Sequence, residues 1–576
     1  MFSRVCRYLI LILSACLAVA AFATAASART PANVNWPLNG RNLANNRFAP
    51  VDQIAPGNVG RLRPAWVFHT GVLDPKASLE VSPVEAGGRV FVTTGHDDVF
   101  ALDSTSGKLL WVYHPESTMP PLKKLSICCG RDNRGVAYAH GTIYLARLDD
   151  VLVALNAVTG QVKWQTPVAS WRRGYSMTMA PQVVGGRVIV GLSGGEFLAR
   201  GAAIAYSART GREIWRFGTT ISRTWHGRSW LSGGAPVWGT PAVDRRLGLV
   251  YVTTGNAAPD FNGVSRAGRN LYASSIVALR IRNGRIRWHF QEVHHDLWDY
   301  DSPQPPVLFA LRHHGGYVPA LGHCSKDGQY FVLNRVTGRP LWPVRQERVP
   351  AGPRWQHAWP TQPISSVQPL TPQRVLYTPP GMHASPEFTP PNRHGVLIQP
   401  GAQAGCEWPP AAYSPRTGDV YYGARYQPVI YKAYPGNHKP NKNKEFVGSK
   451  EVTPIPGIHY FGIFGATNMR TGRVVWRIRV PQLAASGMLV AGSLAFFGEE
   501  NGRFHAVDAA TGRRLWSFNG TRLPHGGGAN GSPIAYKVNG REFVVMAFGG
   551  NAADRHERKQ YSPVGDAIVG FALPRR

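Results

Sequence analysis

Short runs of apolar, often β-branched residues alternate with glycine-rich polar turns along almost the whole chain. Stretches such as RVFVTTG (Arg89 to Gly95) and RVIVGLSG (Arg187 to Gly194) show this pattern. Runs of this length that end at glycine predict β-strands, and the period of amphipathic helices is almost absent. We therefore expect an all-β protein whose strands follow one another at short intervals.

An eleven-residue pattern recurs eight times and supports this prediction. Each copy has glycine at its seventh position, and seven of the eight copies end in Trp, whereas the sixth ends in Tyr422. The copies start at Ala101, Ala154, Ala205, Ala278, Val332, Ala412, Ala466 and Ala506. The pattern predicts a hairpin in which one strand ends, the glycine takes a positive φ in a tight turn, and a second strand leads to the aromatic residue.

The glycines of successive copies are 40 to 80 residues apart. About 40–50 residues for each four-stranded unit is typical of a β-propeller. We therefore predict a single eight-bladed propeller of four-stranded antiparallel blades over residues 29–576, with the repeated Trp residues packed between neighbouring blades. The longest interval follows Trp342 and is rich in proline. Its dispersed aromatic residues favour a packed loop or lid over a disordered linker.

Residues 1–28 have the pattern of a secretory signal peptide. Arg4 and Arg7 precede an apolar run, and Ala26-Ser27-Ala28 is a small-residue cleavage site. We expect cleavage after Ala28 and a periplasmic mature chain, and the alternative is an uncleaved membrane anchor. No later stretch has 18 unbroken apolar residues, so no membrane helix is expected after this segment.

Four cysteines follow the predicted cleavage site, namely Cys128, Cys129, Cys324 and Cys406. Export brings them into an oxidising compartment, where disulfides form. Neighbouring Cα atoms lie about 3.8 Å apart, closer than a relaxed disulfide prefers. A bond between Cys128 and Cys129 would therefore be strained, and metal binding is a rival role for this pair. The sequence leaves open whether Cys324 and Cys406 pair, and it contains no CxxCH motif for attached haem.

The formal charge of +31 indicates anionic partners. Export argues against nucleic acid, which leaves acidic proteins and the headgroups of an anionic membrane. An adaptation of the whole surface to its medium is an equal alternative. The interval from Lys432 to Lys450, with KPNKNK at its centre, is a candidate contact segment, and a solvated loop is the alternative.

The residues between the repeats resemble the quinoprotein dehydrogenases, a family of eight-bladed propellers that bind pyrroloquinoline quinone (PQQ) near the central axis. The resemblance covers nearly all of the mature chain. The segment CCGRDNRGVAY (Cys128 to Tyr138) is similar to the alcohol-oxidising branch. The other matching segments, in the family's order, are LEVSP, MTMAP, GLSGGEFLARG, VWGTPAVD, VTTGN, HHDLWDYD, SKDGQYFVLNR and AGCEWPPAAY.

The resemblance implies a flat cofactor pocket. It implies that Cys128 and Cys129 form a disulfide on one face of PQQ and that Trp238 stacks against the other face. Arginine and hydroxyl donors suit the PQQ carboxylates, and Lys326 takes a cationic position near the reactive carbonyls. The implied cofactor-binding residues are Glu80, Cys128, Cys129, Arg134, Thr178, Ser193, Trp238, Lys326 and Trp408.

The same resemblance implies a hard cation with oxygen ligands, either Ca²⁺ or a lanthanide ion. The implied metal ligands are Glu196, Asn256, Asp299 and Asp301. Asp299 is also the implied catalytic base, and we expect a nearby cation to keep it ionised. Taken singly, each of these residues could instead have a purely structural role. Asn256 suits a left-handed turn, and Glu196 suits an ion pair with Arg200. His294 and His295 are expected to have supporting roles.

The resemblance does not decide the metal or the branch. An Asp at the position of Asp301 accompanies lanthanide use in methanol dehydrogenases, but sugar and polyol dehydrogenases have the same spacing and use divalent ions. Glu407 departs from the alcohol branch, which has Asn before the Trp. An additional acid near PQQ would be repulsive unless it faces a cation or takes up a proton.

The resemblance implies a PQQ- and metal-dependent dehydrogenase that oxidises an alcohol or polyol by hydride transfer to PQQ. Because the sequence has no haem domain, we expect an external electron acceptor, either a cytochrome c or a membrane quinone. The alternative is a non-catalytic exported propeller of the kind that helps to assemble outer-membrane proteins, since those scaffolds share the repeat.

Overall fold

Eight antiparallel sheets follow one another along the chain as the blades of a propeller, which confirms the predicted fold. The computed structural model describes residues 33–313, 315–436, 445–556 and 559–575. The predicted signal peptide and the KPNKNK segment lie outside the described residues. Within the described ranges, no helix has both the length and the apolar character needed to cross a membrane.

Blades 1 to 4 are four-stranded and each uses consecutive strands. Blade 1 contains Val84–Ala86, Arg89–Thr93, Val99–Asp103 and Leu109–Tyr113. Blade 2 contains Ala137–Ala139, Thr142–Ala146, Val151–Asn156 and Val162–Pro167. Blade 3 contains Gln182–Val184, Arg187–Leu192, Ala202–Ser207 and Glu213–Gly218. Blade 4 contains Ala242–Asp244, Leu249–Thr253, Ser275–Arg280 and Ile286–Gln291.

Blades 6 to 8 complete the ring. Blade 6 contains Ala412–Ser414, Asp419–Tyr426, Phe461–Asn468 and Arg473–Val480. Blade 7 contains Leu489–Ala491, Leu494–Gly498, Arg503–Asp508 and Arg514–Asn519, with Phe48–Ala49 added in parallel to its first strand. Blade 8 contains Ile534–Val538, Arg541–Phe548 and Ala567–Ala572, and its fourth strand is Arg63–His69. The N-terminal part of the propeller therefore closes the ring by pairing with the C-terminal part.

Blade 5 departs from the four-strand prediction. It has three strands, Val307–His313, Gly316–Cys324 and Tyr330–Asn334. Pro340 follows the turn of this repeat and has no N–H to donate to a ladder. The fourth strand is therefore reduced to a bridge between Leu333 and Pro340 and a hydrogen bond from the N–H of Leu341 to Val332 (2.8 Å).

One copy of the repeat lies at a different place in its blade from the others. The copy that starts at Ala412 forms the hairpin between the first and second strands of blade 6, whereas the other seven follow the third strand of their blades. The blade without a copy is blade 8, and its fourth strand carries Trp66. The eight-blade count is correct, but the sixth copy is not the counterpart of the other seven.

The repeated Trp residues pack between blades, as predicted. The indole N–H of Trp111 in blade 1 donates to the main-chain oxygen of Ala157 in blade 2 (3.2 Å). A Cβ atom on Gly160, the turn glycine of blade 2, would lie 2.7 Å from the Trp111 ring. The same contact pairs Trp66 with Gly107, Trp164 with Gly211, Trp215 with Gly284, Trp288 with Gly338 and Trp476 with Gly512. Each of these turn glycines thus adopts a positive φ and also leaves room for the indole of the neighbouring blade.

The long interval after Trp342 is packed against the propeller. It forms a hairpin of Val344–Arg348 with Thr361–Ser365, and its strand Val396–Ile398 joins a small sheet with Val429–Ala433 and Ser449–Val452, which lie between the second and third strands of blade 6. Phe388 from this interval contacts the rings of Trp298 and Tyr300, with centroid distances of 5.3 and 5.8 Å. The insertion therefore supports the HHDLWDYD segment from behind.

Helical structure in the described residues is short. The α-helix is Ala552–His556. The 3-10 turns are Val59–Arg61, Glu116–Thr118, Leu122–Lys124, Trp171–Arg173, Gly195–Phe197, Ser222–Thr224, Ser229–Leu231, Arg354–Gln356 and Gly520–Arg522.

Candidate active site

A cavity of about 350 Å³ gathers nearly all of the predicted site residues. Its walls come mainly from loops in and between blades 1 to 6, and Asn551 and Ala553 of blade 8 also contribute. The predicted residues that line it are Glu80, Cys128, Cys129, Arg134, Thr178, Ser193, Glu196, Trp238, Asp299, Asp301, Lys326 and Trp408. The exception is Asn256, which lies behind Asp301 and donates its main-chain N–H to that carboxylate (2.5 Å).

The adjacent cysteines form a disulfide in the wall of this cavity. Their Cα atoms lie 3.8 Å apart, and Cys129 has a φ of 70°. The following residue, Gly130, has a φ of 99°, and a Cβ atom there would lie 2.7 Å from Ala552. Glycine at this position therefore allows the chain to turn sharply and pack closely after the disulfide.

A second disulfide, between Cys324 and Cys406, answers the pairing question that the sequence left open. Both cysteines are buried, and their Cα atoms lie 5.6 Å apart. Lys326 follows the first cysteine by two residues, and Trp408 follows the second by two. This disulfide therefore ties together two segments that supply side chains to the cavity wall.

The guanidinium of Arg134 is held on several sides. Its partners are the carboxylates of Glu80 (2.8 Å) and Asp132 (2.6 Å), the hydroxyl of Thr178 (2.9 Å), and the rings of Trp238 and Trp408, each with its centroid 5.1 Å away. Thr178 also accepts the main-chain N–H of Arg134 on its own main-chain oxygen (3.1 Å). These contacts fix the arginine side chain between the two indoles.

Lys326 is a second cation in the wall, and it faces several acids. Its ammonium nitrogen lies 2.8 Å from Asp301, 3.2 Å from Asp299 and 3.7 Å from Glu407. Although burial alone would lower it, the pKa of Lys326 is raised well above its usual value by these carboxylates. Glu407, the residue that departs from the alcohol branch, thus faces a cation.

The loop that carries Asp299 is ordered by its own polar groups. The Asp296 carboxylate accepts the main-chain N–H groups of Trp298 (2.9 Å) and Tyr300 (3.0 Å). Asp299 itself has a φ of 61°, a conformation that non-glycine residues adopt at a cost of about 1–3 kcal/mol. His295 is fixed between the main-chain oxygens of Gly268 and Gln356 (2.7 and 2.9 Å) and supports the loop without lining the cavity.

Burial raises the pKa values of the acids in the cavity. It raises the pKa of Glu80 to about 8 and that of Glu196 to about 7, and neighbouring carboxylates act in the same direction. The pKa of Asp299 is raised well above its usual value by burial, with Lys326 acting in the opposite direction. The expectation of an ionised Asp299 therefore depends on an additional cation near it.

Several cavity residues were not predicted from the sequence. Asp132 stands inside the CCGRDNRG motif, so its position beside Arg134 could have been noticed. Asp260 lies in the turn after VTTGN, and Arg425 comes from a strand of blade 6. Glu445 comes from the segment between the second and third strands of blade 6, and its neighbour Phe446 donates its main-chain N–H to the main-chain oxygen of Glu196 (2.7 Å). Only tertiary packing brings these last three side chains to the cavity.

The donors that line the cavity suit a flat, acidic cofactor such as PQQ. The hydroxyl of Ser193 and the Nε of Arg134 are buried and have no hydrogen-bond partner among the described residues. Unsatisfied buried donors of this kind fit a ligand that brings carboxylate oxygens. The disulfide and the two indoles add rigid, flat surfaces, and the cavity volume lies in the usual range for small-ligand sites.

The oxygen atoms near Glu196 suit a hard cation. The side-chain amide of Asn256 is buried, and its oxygen has no hydrogen-bond partner among the described residues. Carboxylate and amide oxygens are the ligands that such cations take. Over the described ranges, no three His, Cys, Asp or Glu side chains are already arranged around a metal position. A metal here would therefore need the Asn256 amide and an adjustment of the carboxylates.

Comparisons with known proteins agree with this geometry. Residues 36–460 match the family model of the PQQ "Glucose/ethanol/alcohol dehydrogenase, beta-propeller domain", and residues 459–557 match that of the outer membrane protein assembly factor BamB. The chain is 31% identical to the quinohemoprotein alcohol dehydrogenase ADH IIB of Pseudomonas putida, over 93% of this chain and 76% of that protein.

Two further relatives show the range of the family. The chain is 30% identical to the lanthanide-dependent methanol dehydrogenase of Methylacidiphilum fumariolicum, over 89% of this chain and 84% of that protein. The crystal structure of the quinohemoprotein alcohol dehydrogenase of Comamonas testosteroni superposes with a TM-score of 0.79 and 28% identity, over 96% of this chain and 82% of that one. The fold, the cavity and these matches together show that this chain belongs to the family of PQQ-dependent dehydrogenase β-propellers.

Proposed function

We propose that this protein is a PQQ- and metal-dependent dehydrogenase that oxidises an alcohol or polyol and passes the electrons to an external acceptor. The observation that carries the proposal is the shared cavity of Asp299, Lys326, the Cys128–Cys129 disulfide and Trp238. A carboxylate that can accept a proton thus lies in the same small space as flat walls for a planar cofactor.

The cofactor would be held by residues from both ends of the cavity. We assign Arg134, Thr178 and Ser193 to its carboxylates, and the disulfide and Trp238 to its two faces. Glu80, Lys326 and Trp408 complete the set, because Glu80 and Trp408 hold Arg134 in place and Lys326 lies beside the candidate base. When bound, PQQ accepts the hydride equivalent that leaves the carbinol carbon.

The metal ligands would be Glu196, Asn256, Asp299 and Asp301. The Asp301 carboxylate accepts the main-chain N–H of Asn256 and therefore keeps these two residues together. Ca²⁺ and a lanthanide ion both suit this oxygen-rich set. A trivalent ion gains more from the additional carboxylate of Asp301, and this is the physical argument for testing both metals.

Asp299 is proposed as the base that takes the proton from the substrate hydroxyl. Its neighbours determine whether it can do so. Lys326 stabilises the carboxylate, whereas burial and the surrounding acids oppose ionisation. Asp296 holds the loop in the conformation that points this region toward the cavity, through its hydrogen bonds to Trp298 and Tyr300.

The two disulfides support export to an oxidising compartment such as the periplasm, because disulfides persist there and are rare in the cytosol. An acceptor outside the chain, a cytochrome c or a membrane quinone, would then collect the electrons. The basic surface suits an acidic protein or an anionic membrane as a contact.

Reconstitution tests the proposal. The purified protein is loaded with PQQ and either Ca²⁺ or La³⁺, and alcohol oxidation is followed with an artificial electron-accepting dye. We expect activity with at least one metal and a loss of at least about 100-fold in Asp299→Asn, in line with the contribution of a general base. A non-catalytic scaffold, which the match of residues 459–557 to BamB keeps as the second candidate, predicts no bound quinone and no dye reduction.

A further inference from the structure

The cavity has a strong excess of negative charge, although the protein as a whole is strongly basic. Nine acidic and three basic side chains line it, which leaves a formal excess of six negative charges. The whole chain has a formal charge of +31. The acidity of the cavity is therefore a local property, and the three carboxylates of PQQ would add to it.

Apart from Asp132, which pairs with Arg134, four of these acids have no place in the proposed cofactor and metal sites. They are Asp260, Glu407, Glu445 and Glu451. A divalent or trivalent metal balances at most the charge that the PQQ carboxylates bring, so these four acids give the loaded site a formal excess of negative charge. Low-dielectric walls of one charge sign concentrate ligands of the opposite charge.

Asp260 is the member of this group on which the inference rests. Its side chain is buried, with 3% of its surface exposed, and it faces the cavity. Its Oδ1 atom has no hydrogen-bond partner among the described residues. Leaving such an oxygen without a hydrogen-bond partner is unfavourable, so a ligand that supplies a positive charge would stabilise it.

Asp260 also lies within electrostatic range of the proposed catalytic centre. Burial raises the pKa of Asp299 well above its usual value, and the Asp260 carboxylate acts in the same direction. Burial also raises the pKa of Asp260, and Glu196 and Glu445 are among the carboxylates that add to this effect. The next residue, Phe261, lines the cavity too and adds an aromatic surface. A small molecule with a hydroxyl group at one end and a cation at the other could therefore meet Asp299 and Asp260 together.

We propose that the preferred substrate of this protein is a small alcohol with a permanent or protonated ammonium group, received by Asp260 with support from Glu445. This inference rests on the proposed function and specifies its substrate class. The carbinol C–H bond breaks with transfer of hydride to the quinone cofactor, the O–H proton passes to Asp299, and an aldehyde forms. The ammonium group is unchanged.

The test uses enzyme that has been loaded with PQQ and metal. It compares substrates that are similar in shape and differ in charge. Choline carries a positive charge at every pH, 3,3-dimethyl-1-butanol is its neutral isostere, and hydroxypivalate is a similar anion. At low ionic strength we expect kcat/KM to be at least about tenfold higher for choline than for the neutral alcohol, and lowest for the anion. Added salt should reduce the difference.

In the variant Asp260→Asn, the ratio of kcat/KM for choline to kcat/KM for the neutral alcohol should fall to within about threefold of one, and because both substrates are measured in the same variant, any general effect on Asp299 cancels in this ratio. Calorimetry gives a readout that does not depend on turnover: tetramethylammonium should bind the loaded wild type and should bind Asp260→Asn at least about tenfold more weakly. Glu347→Gln, on an exposed strand position outside the cavity, is the matched control and should change neither result.

The other outcomes contradict the inference. Equal use of choline and its neutral isostere would show that the cavity does not select cations, while the proposed function would stand. A choline preference that persists in Asp260→Asn would show that this residue does not receive the cation. Loss of bound metal from Asp260→Asn, measured by elemental analysis, would assign the residue to the metal site. Absence of PQQ binding and of oxidation of every alcohol would overturn both proposals.

Discussion

The ammonium nitrogen of Lys326 lies 3.2 Å from the carboxylate of Asp299. Both side chains are largely buried, and Asp301 and Glu407 contact the same ammonium. A single lysine thus serves as the shared counter-ion of three carboxylates. Because several carboxylates in this part of the cavity oppose the ionisation of one another, the lysine is central to both the stability and the chemistry of the site.

Replacing Lys326 by methionine should destabilise the protein before any cofactor is added. Removal of one partner from a buried ionic group costs about 3–5 kcal/mol, because the remaining charges are left uncompensated. Urea unfolding of the metal-free protein, followed by intrinsic fluorescence, measures this loss. Lys326→Arg keeps the charge and should retain most of the stability. Equal stability of the methionine variant and the wild type would show that Lys326 is not the counter-ion of these acids.

The two disulfides should have different roles. Cys324 and Cys406 are 82 residues apart, and closing a loop of that length stabilises a fold by about 4–5 kcal/mol in the chain-entropy account. Cys128 and Cys129 are neighbours, so their bond restricts almost nothing in the unfolded chain.

We therefore expect the double variant Cys324→Ala/Cys406→Ala to unfold at clearly lower urea concentration than the wild type. The double variant Cys128→Ala/Cys129→Ala should keep its unfolding midpoint and bind PQQ more weakly. Each variant is the control for the other. The reverse pattern of stability and cofactor affinity would contradict these assignments.

The contact between each Trp and the next turn glycine should be an important source of stability between blades. A Cβ atom on Gly160 would lie 2.7 Å from the ring of Trp111, whereas one on Gly141 would have no atom within 4 Å among the described residues. Both glycines lie in blade 2 and have similar φ values, 74° and 72°.

Both Gly→Ala variants carry the same backbone penalty, so their difference isolates the contact with Trp111. We expect Gly160→Ala to be less stable than Gly141→Ala by about 1–3 kcal/mol, the usual cost of overpacking. Thermal and urea unfolding of the two variants measure the difference. Equal stabilities would show that the indole does not press on the glycine.

The repeat allowed the fold to be predicted because each blade uses the same local pattern of strand, glycine turn and Trp. The prediction was wrong where a repeat copy occupies a different position in its blade or where a predicted strand does not form. The copy at Ala412 has the same hairpin chemistry as the others but joins the first two strands of its blade, and Trp66 of blade 8 follows no copy of the repeat. Pro340 reduced the fourth strand of blade 5 to one bridge, because proline has no N–H to donate to the ladder. A proline at the start of a predicted strand is compatible with such a loss but does not by itself predict it.

The candidate site was predictable where its residues lie inside family motifs, as with Arg134 and Asp299. Arg425 and Glu445 were missed because they lie outside the family motifs, on the second strand of blade 6 and in the segment between that strand and the third. Their local sequences resemble ordinary strand and loop residues. The excess of acids in the cavity therefore became visible only when the loops were brought together by the fold.

A buried acid that does not line this cavity should make stability depend on pH. Asp150 is fully buried, its two carboxylate oxygens have no hydrogen-bond partner among the described residues, and burial together with Asp149 raises its pKa to about 8. The unfolded value is about 3.9. The folded protein therefore holds this proton more strongly, and the contribution of Asp150 to stability falls as the pH rises from about 4 to about 8.

Asp150→Asn removes this titration and keeps a side chain that tolerates the φ of 65° at this position. We expect the variant to gain stability relative to the wild type as the pH rises from 5 to 8, by on the order of a few kcal/mol. Urea midpoints at several pH values measure the gain. A constant difference across this range would mean that Asp150 does not carry the raised pKa.

The central claim is that this cavity binds PQQ through Arg134. Titration of the metal-loaded protein with PQQ, followed by absorbance or by tryptophan fluorescence, measures that binding directly. We expect one PQQ to bind each chain of the wild type, and Arg134→Met to weaken binding by about tenfold to hundredfold, the equivalent of one charged hydrogen-bonding group. Failure of the wild type to bind PQQ, or unchanged affinity in Arg134→Met, would contradict the claim.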